Sequence, residues 1–200
     1  PRSTLSSSSA ASDVYKRQVY PVVVKICSSD IGHKTEIGGV QLNISSKSEL
    51  TIAIVSIINN VEHYAPDARL DGILIESMIT KAILELMVGL RRDPLFGLVL
   101  TIASGGVMTE ILKDASTVIV PTDNISLQSA IDSLRIAPLF DGFRGGQAAS
   151  RTAVLNQIKG LVSLMKDMPD IVEIEINPMM VGKDYACCTD ALISTSSAEA

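Results

Sequence analysis

Apolar and polar positions recur with two different periods along this chain. Tyr20–Ile26, YPVVVKI, is an apolar run broken only by Lys25. Side chains of a strand point alternately to opposite faces, so Val22 and Val24 share one face and Val23 and Lys25 the other. A polar, glycine-bearing stretch follows at Ser28–Gly39, and Gly38-Gly39 opens a second apolar run, Val40–Ile44. This order predicts a β-hairpin with an oversized loop. The period then changes. Ser46 with Glu49 three residues later forms a capping-box signature, and Leu50, Ile54, Ile57, Ile58 and Val61 repeat at helical spacing. Pro66 ends that helix. Asp71-Gly72 turns the chain into a short buried strand, Ile73–Glu76, and Glu76-Ser77-Met78 reads as a linker between two lobes.

The second lobe opens with strands at about residues 83–90 and 98–103, flanking RRDPLFG, a Pro/Gly turn. Glu85 interrupts the first of them. Ser104-Gly105-Gly106 then leads into a short helix expected over 107–114. Glycines before a helix start can present N–H groups to an anion. A strand at 117–120 and a helix over 124–136 come next. Phe140–Gly146 is a glycine-rich turn holding Arg144. A longer helix over 149–166 carries Val154, Ile158, Leu161, Val162 and Met165 on one side, and Pro169 stops it. In Ile171–Asn177, IVEIEIN, the alternation is strict: Glu173, Glu175 and Asn177 share one face, Val172, Ile174 and Ile176 the other. Pro178 breaks the pattern, Gly182-Lys183-Asp184 turns, and residues 185–193 return as a strand.

Composition narrows the class. A 200-residue chain with 46% hydrophobic residues holds one domain or two small ones with a real core. A net charge of −5 disfavours nucleic acid and acidic membrane surfaces as main partners. No apolar run reaches the roughly 18 residues of a membrane span. Cys27 and the pair Cys187-Cys188 form no metal or disulfide pattern, which fits a reducing cytoplasm. Residues 1–18 are serine-rich and aperiodic, lack the apolar region of a signal peptide, and resemble translated adaptor sequence, so they are expected to lie outside the fold. The polar tail 194–200 is expected to be loose.

Two stretches carry candidate chemistry. Lys25, His33, Lys34 and the backbone N–H groups of the 28–39 loop suit a phosphate chain, although no GxxxxGK[ST] occurs. The alternative is an exposed lysine beside a mobile loop. In the last hairpin, Asp190 falls opposite Glu175–Asn177 to within a residue or two of register. Like charges placed opposite one another are destabilising. Mg²⁺ would relieve that repulsion, since it takes oxygen ligands from one or two side chains plus phosphates. The alternative is a solvated acidic strand face.

Taken together and in order, YPVVVK, GHKTEIGGV, GILIESM, ELMVGLRRDPLFG, SGGVMTEILKD, LFDGFRG and EIEINPMMV closely resemble the ATP-grasp part, or β subunit, of ADP-forming acyl-CoA (acetate–CoA) synthetases. They are more distantly similar to the β subunit of succinyl-CoA synthetase. The resemblance covers residues 19–193, and seven ordered motifs are far more specific than one. It implies an α+β ATP-grasp fold of two lobes: a partial first lobe over 19–75, truncated at its N-terminal side, and a second over 76–193. It further implies that ATP or ADP and Mg²⁺ bind between the lobes. By resemblance, Lys25 contacts the ATP phosphates, Gly32, His33 and Lys34 lie over the nucleotide, and Glu76, Ser77 and Met78 line the adenine pocket. Glu85 matches a nucleotide-contacting glutamate. Asn177 and Asp190 match Mg²⁺ ligands, with Glu175 close by. His33 matches a histidine that carries phosphate between the nucleotide and a distant acyl-CoA site.

The chain departs from the family pattern in places. Adaptor-like sequence stands where a helical segment is usual before YPVVVK. A glycine usual before the strand of Glu85 is absent from ITKAILELMVG, and an acidic residue usual after the arginine–glycine turn is absent from GGQAASRTA. Arg144 has no assigned role. The implied activity is the nucleotide half of an acid–thiol ligase, incomplete without a CoA-binding α subunit or fused domain. The implied assembly is therefore a hetero-oligomer or a longer chain in the cytoplasm. A non-catalytic ATP-grasp module of an acetyltransferase fusion is the alternative.

Overall fold

In the computed structural model, which describes residues 20–106 and 112–196, the apolar run after Tyr20 becomes β1 (Val22–Cys27). It is the middle strand of a three-stranded sheet of order β2-β1-β3, with β2 at Val40–Ile44 and β3 at Gly72–Ser77, both antiparallel to it. One face of β1 meets the helix. Val22, Val24 and Ile26 form one buried cluster with Leu50, Ala53, Ile57 and Val61 of α1 (Lys47–Tyr64). Each such side chain is worth about 1.5–3 kcal/mol when fully buried. The entry to α1 is capped as its sequence predicts. Ser46 Oγ accepts the Glu49 N–H at 3.2 Å, and the return bond from Glu49 Oε2 reaches the Ser45 N–H at 2.7 Å. The first unit ends at Ile79 and the second begins at Thr80. Glu76 and Ser77 are not linker: they belong to β3, and Met78 extends its pairing by donating to Pro21 O at 3.0 Å.

The second unit is a six-stranded antiparallel sheet. Its strands are β4 (Leu84–Asp93), β5 (Gly97–Ser104), β6 (Ala115–Val120), β7 (Ile171–Val181), β8 (Ala186–Cys188) and β9 (Ala191–Thr195). The order runs β6-β5-β4-β7, and β8 and β9 share the far side of β7. Inward residues Leu86, Val88, Leu90, Leu100, Ile102, Ile174, Ile176 and Met179 are buried. They pack with Ile131 of α2 (Asn124–Asp132) and Val154, Ile158 and Met165 of α3 (Arg151–Asp167). The RRDPLFG turn is held by Asp93, whose Oδ1 accepts the N–H groups of Leu95 (2.9 Å) and Phe96 (3.1 Å). Arg92 closes the end of α3, donating to the carbonyls of Ile171 (2.8 Å), Met165 and Met168.

Three expectations change. The helix foreseen to Ile136 stops at Asp132 and gives way to 3₁₀ turns at Ala137–Asp141 and Phe143–Gly145. Pro138 sits in the first of these turns, and it has no N–H with which to prolong an α-helix. The strand foreseen over 185–193 is two strands, parted at Thr189-Asp190. The polar tail is paired through Thr195, which lies opposite Ile171. The expected helix at 107–114 falls largely, and the adaptor-like 1–18 wholly, outside the described residues. Among the described residues no helix is long and apolar enough to cross a membrane.

Candidate functional site

The first unit places Lys25 and Glu76 side by side. Because β1 is central, Lys25 is only 9% exposed, on the face of the sheet opposite α1. Register pairs Val23 with Glu76 and Lys25 with Leu74, so the two charged residues are diagonal neighbours on one face. Lys25 Nζ lies 2.8 Å from Glu76 Oε2. The carboxylate is 43% exposed and the ammonium stem 11%, so one end of the pair is wet and the other dry. A largely desolvated ammonium on a rigid strand suits a phosphate group better than a flexible surface lysine does, because it needs little reorganisation to bind.

The loop before β2 is built from short turns. Glu36 N donates to His33 O at 3.2 Å, Gly38 N to Thr35 O at 3.0 Å and Gly39 N to Lys34 O at 2.7 Å. Ile26 N then donates to Gly39 O at 2.9 Å, tying the loop's end to β1. A Cβ on Gly39 would lie 2.7 Å from Ile26 Cδ1 and 2.8 Å from Lys34 O, so only glycine fits. At the other end Ile31 is buried in the first core, and Asp30 Oδ2 accepts the Arg69 N–H at 2.8 Å. Between these anchors His33 is exposed and Lys34 half-buried. Among the described residues, none comes within 4 Å of a Cβ placed on Gly32.

The second unit gathers Glu85, Asn177 and Asp190 around an irregularity in β7. Leu86 pairs with Met179 but Val88 with Ile176, so β7 carries one extra residue at Asn177-Pro178. This bulge shifts the alternation: Ile174 and Ile176 face the core before it, Met179 and Val181 after it. Bulges re-aim side chains and are frequent beside active sites. On the far side, Ile176 pairs with Ala191, and Asn177 N donates to Asp190 O at 3.3 Å. Asp190 thus stands opposite Asn177, while Glu175 faces Leu192. Asp190 therefore falls at the Asn177 end of the Glu175–Asn177 span expected from sequence, opposite an amide residue, with Glu175 two residues along. Thr189 secures the corner, donating from Oγ1 to Pro178 O at 2.8 Å.

Gly105 and Gly106 close this cluster from β5. Gly105 N donates to Glu85 O at 2.9 Å, and a Cβ there would run into the Leu86 backbone. Gly106, at φ +60, sits in a backbone conformation strained for any side chain, and a Cβ there would displace the Glu85 carboxylate. Its N–H donates to Asn177 Oδ1 at 3.1 Å, which fixes the amide's orientation. A carbonyl oxygen has a second lone pair, so Asn177 Oδ1 keeps the capacity to meet a hard cation. Among the described residues no group of three or more His, Cys, Asp or Glu side chains could hold a metal. Mg²⁺ asks for only one or two protein ligands and completes its shell with water and phosphate, and Asn177 and Asp190 carry oxygen donors of that kind.

The SGG motif drew attention to Gly106. Nothing in the sequence pointed to Thr189 or to Asn60, whose side chain reaches the Gly38 carbonyl at 3.1 Å. Arg144 lies in the 3₁₀ turn Phe143–Gly145. It is left-handed (φ 53°) and stacks over Phe143 at 5.3 Å. Beside it lies a cavity of about 600 Å³ lined by Arg135, Asp141, Phe143 and Arg151 among others. Arg151 bonds Asp141, whose carboxyl it holds below the usual range, and Asp132.

The ATP-grasp domain family matches residues 1–195. Among characterised proteins, the chain is 37% identical over 172 residues to the β subunit of ADP-forming acetate–CoA ligase I of Pyrococcus furiosus, covering 86% of this chain and 74% of that subunit. It is 34% identical over 171 residues to ADP-forming acetate–CoA ligase I of Archaeoglobus fulgidus, covering 86% of this chain but 25% of that protein. The chain thus spans about a quarter of a relative of the second kind. A dinucleotide-forming acetyl-coenzyme A synthetase of Ca. Korarchaeum cryptofilum, solved with coenzyme A, Ca-AMPCP and HgCl⁺, aligns with a TM-score of 0.86 at 30% identity, over 94% of this chain and 81% of that one. A structure of the same enzyme with coenzyme A and Mg-AMPPCP, its phosphohistidine segment pointing towards the nucleotide-binding site, aligns with a TM-score of 0.76 at 27% identity, over 92% and 80%.

Proposed function

The chain belongs to the ATP-grasp family, and from that premise we propose that it handles the nucleotide half of an ADP-forming acyl-CoA (acetate–CoA) ligase. The observation that carries this is the desolvated Lys25 on the helix-free face of the first sheet, 2.8 Å from Glu76. Phosphoryl transfer asks a protein for positioning and charge neutralisation more than for covalent chemistry. Lys25 neutralises phosphate charge, Gly32 and Lys34 contribute from the loop, and Glu76, Ser77 and Met78 border the base. In the second unit Glu85 contacts nucleotide, and Asn177 and Asp190, with Glu175 nearby, hold Mg²⁺. When bound, that ion supplies further neutralisation of phosphate charge.

His33 is assigned as the phosphoryl acceptor. A ring nitrogen of neutral imidazole attacks the γ-phosphorus; the N–P bond forms as the bond to the β,γ-bridging oxygen breaks, and ADP leaves with that electron pair. Imidazole is neutral enough near pH 7 to act so. The acyl-CoA half is assigned to a CoA-binding α subunit or a fused domain, so the assembly is a hetero-oligomer or a longer chain. We place it in the cytoplasm, without nucleic acid or membrane as partner.

The test is incubation with γ-labelled ATP and Mg²⁺. Label that is stable in alkali, lost in acid and absent from His33→Asn supports the assignment. Equal labelling of that variant, or none in protein that binds ATP, overturns it.

A further inference from the structure

We infer that Asn60, about one turn before the C-terminal end of α1, is a positioning residue for the His33–Lys34 turn. The inference rests on the assignment of His33 as phosphoryl acceptor. Asn is a poor helix former, because its amide competes for nearby backbone groups. Here it sits between Ile57 and Val61, which are 0% and 5% exposed, so its backbone is among the most firmly held in the first unit. Its Nδ2 donates to Gly38 O at 3.1 Å, across 22 residues of sequence.

Gly38 is shaped around that amide. It is left-handed at φ +65, and a Cβ there would come within 2.5 Å of Asn60 Nδ2. From Gly38 a chain of bonds leads back to the acceptor. Gly38 N holds Thr35 O, its neighbour Gly39 N holds Lys34 O, and Glu36 N holds His33 O. The bond from Asn60 thus ties these turns to the helix by a directed contact, beside the packing of Ile31 and Ile37 on the first core. Removing it leaves the turns attached through Gly39 and Ile26 on one side and through Ile31 and Asp30 on the other, and loosens the aim of the segment that carries His33. A nucleophile needs near-attack alignment, and misplacement by about 1 Å can cost about 100-fold in rate.

Asn60→Asp keeps the shape and removes the donor. Asn60→Ala removes both. Gly38→Ala attacks the same contact from the loop side. The measurements are the rate of His33 labelling from γ-labelled ATP, the Kd for Mg·ADP and the melting temperature. All three variants are expected to label about ten- to a hundredfold more slowly, with Kd weakening far less than the labelling rate; melting is expected to change little in the two Asn60 variants and to fall in Gly38→Ala, whose left-handed backbone is strained by a side chain. The Asn60→Ala/Gly38→Ala pair is expected to label no more slowly than the slower single variant, because both break one contact. Labelling at the wild-type rate in Asn60→Asp and Asn60→Ala overturns the inference, as does a loss that only follows the fraction unfolded. Wild-type protein that binds Mg·ATP but takes no label on His33 overturns the acceptor assignment, and this inference with it. Labelled wild type with unaffected Asn60 variants overturns this inference alone.

Discussion

Replacing Lys25 with methionine separates a nucleotide ligand from a structural ion pair. Methionine keeps most of the buried apolar stem and removes only the ammonium. What remains is the Glu76 carboxylate, 43% exposed and able to take water in place of its partner. A pair with one end this wet is screened, so its loss should cost the fold about 0–1 kcal/mol, the range of exposed ion pairs. The cost to nucleotide binding should be larger, because a phosphate meeting Lys25 on the dry side loses a charge-assisted hydrogen bond worth roughly 1.5–3 kcal/mol. At about 1.4 kcal/mol per tenfold, that is a ten- to hundredfold weaker Kd. Titration calorimetry with Mg·ATP reads the second quantity and urea unfolding the first. Affinity within twofold of wild type would remove Lys25 from the phosphate site. A stability loss above roughly 3 kcal/mol would show instead that the pair behaves as a buried structural one, the range expected when such a pair is broken.

Gly106→Ala should weaken Mg-nucleotide binding by forcing a methyl into Glu85 Oε2 and breaking the bond to Asn177 Oδ1, while its left-handed backbone costs the fold about 1–2 kcal/mol; wild-type affinity would show that the amide needs no fixing. Asp190→Ala should make ATP affinity equal in Mg²⁺ and in EDTA, and a retained Mg²⁺ effect would clear Asp190 of metal binding. Stability should fall in acid. Asp93, bonded by the Leu95 and Phe96 N–H groups, Asp123, bonded by Ser126, and Asp141, bonded by Arg151, all have carboxyls held below the usual range. Folded values below unfolded ones make their contribution whole above the usual carboxylate pKa of about 4 and drain it as pH falls through the folded values. Urea midpoints from about pH 6 downwards should fall less steeply in the triple Asn variant, and an identical slope would assign the acid loss to other groups.

Much of the framework was legible in local pattern. The alternation in VVVKI and IVEIEIN, the Leu50–Val61 spacing and the Ser46–Glu49 cap each depend on neighbours a few residues apart, and each produced the expected element. The ordered motifs also carried the family, because so many coincidences in sequence are not met by chance. The limits fell where distant backbone competes. Glu76 and Ser77 looked like linker until pairing with β1 drew them into a sheet. The strand after Gly182 broke at Thr189-Asp190, opposite Asn177-Pro178, where β7 carries one residue more than β4. Periodicity cannot show that bulge, since it arises from the mismatch of two strands whose register is set by the whole sheet.

The sequence by itself determined which residues are able to do phosphate and metal chemistry, and in which elements they lie. Only the tertiary structure decided which of them meet within each unit. Lys25 lies diagonal to Glu76 because β1 and β3 pair in that register and no other. Asn177 rather than Glu175 faces Asp190 because the register of β7 and β9 sets it so. Gly106 and Asn60 hold their places through contacts 71 and 22 residues away in the chain. Side-chain type and spacing are local properties. Register, close backbone approach and the partner of a given N–H are settled only when separate segments pack together, since each depends on the position of atoms that the local sequence does not contain.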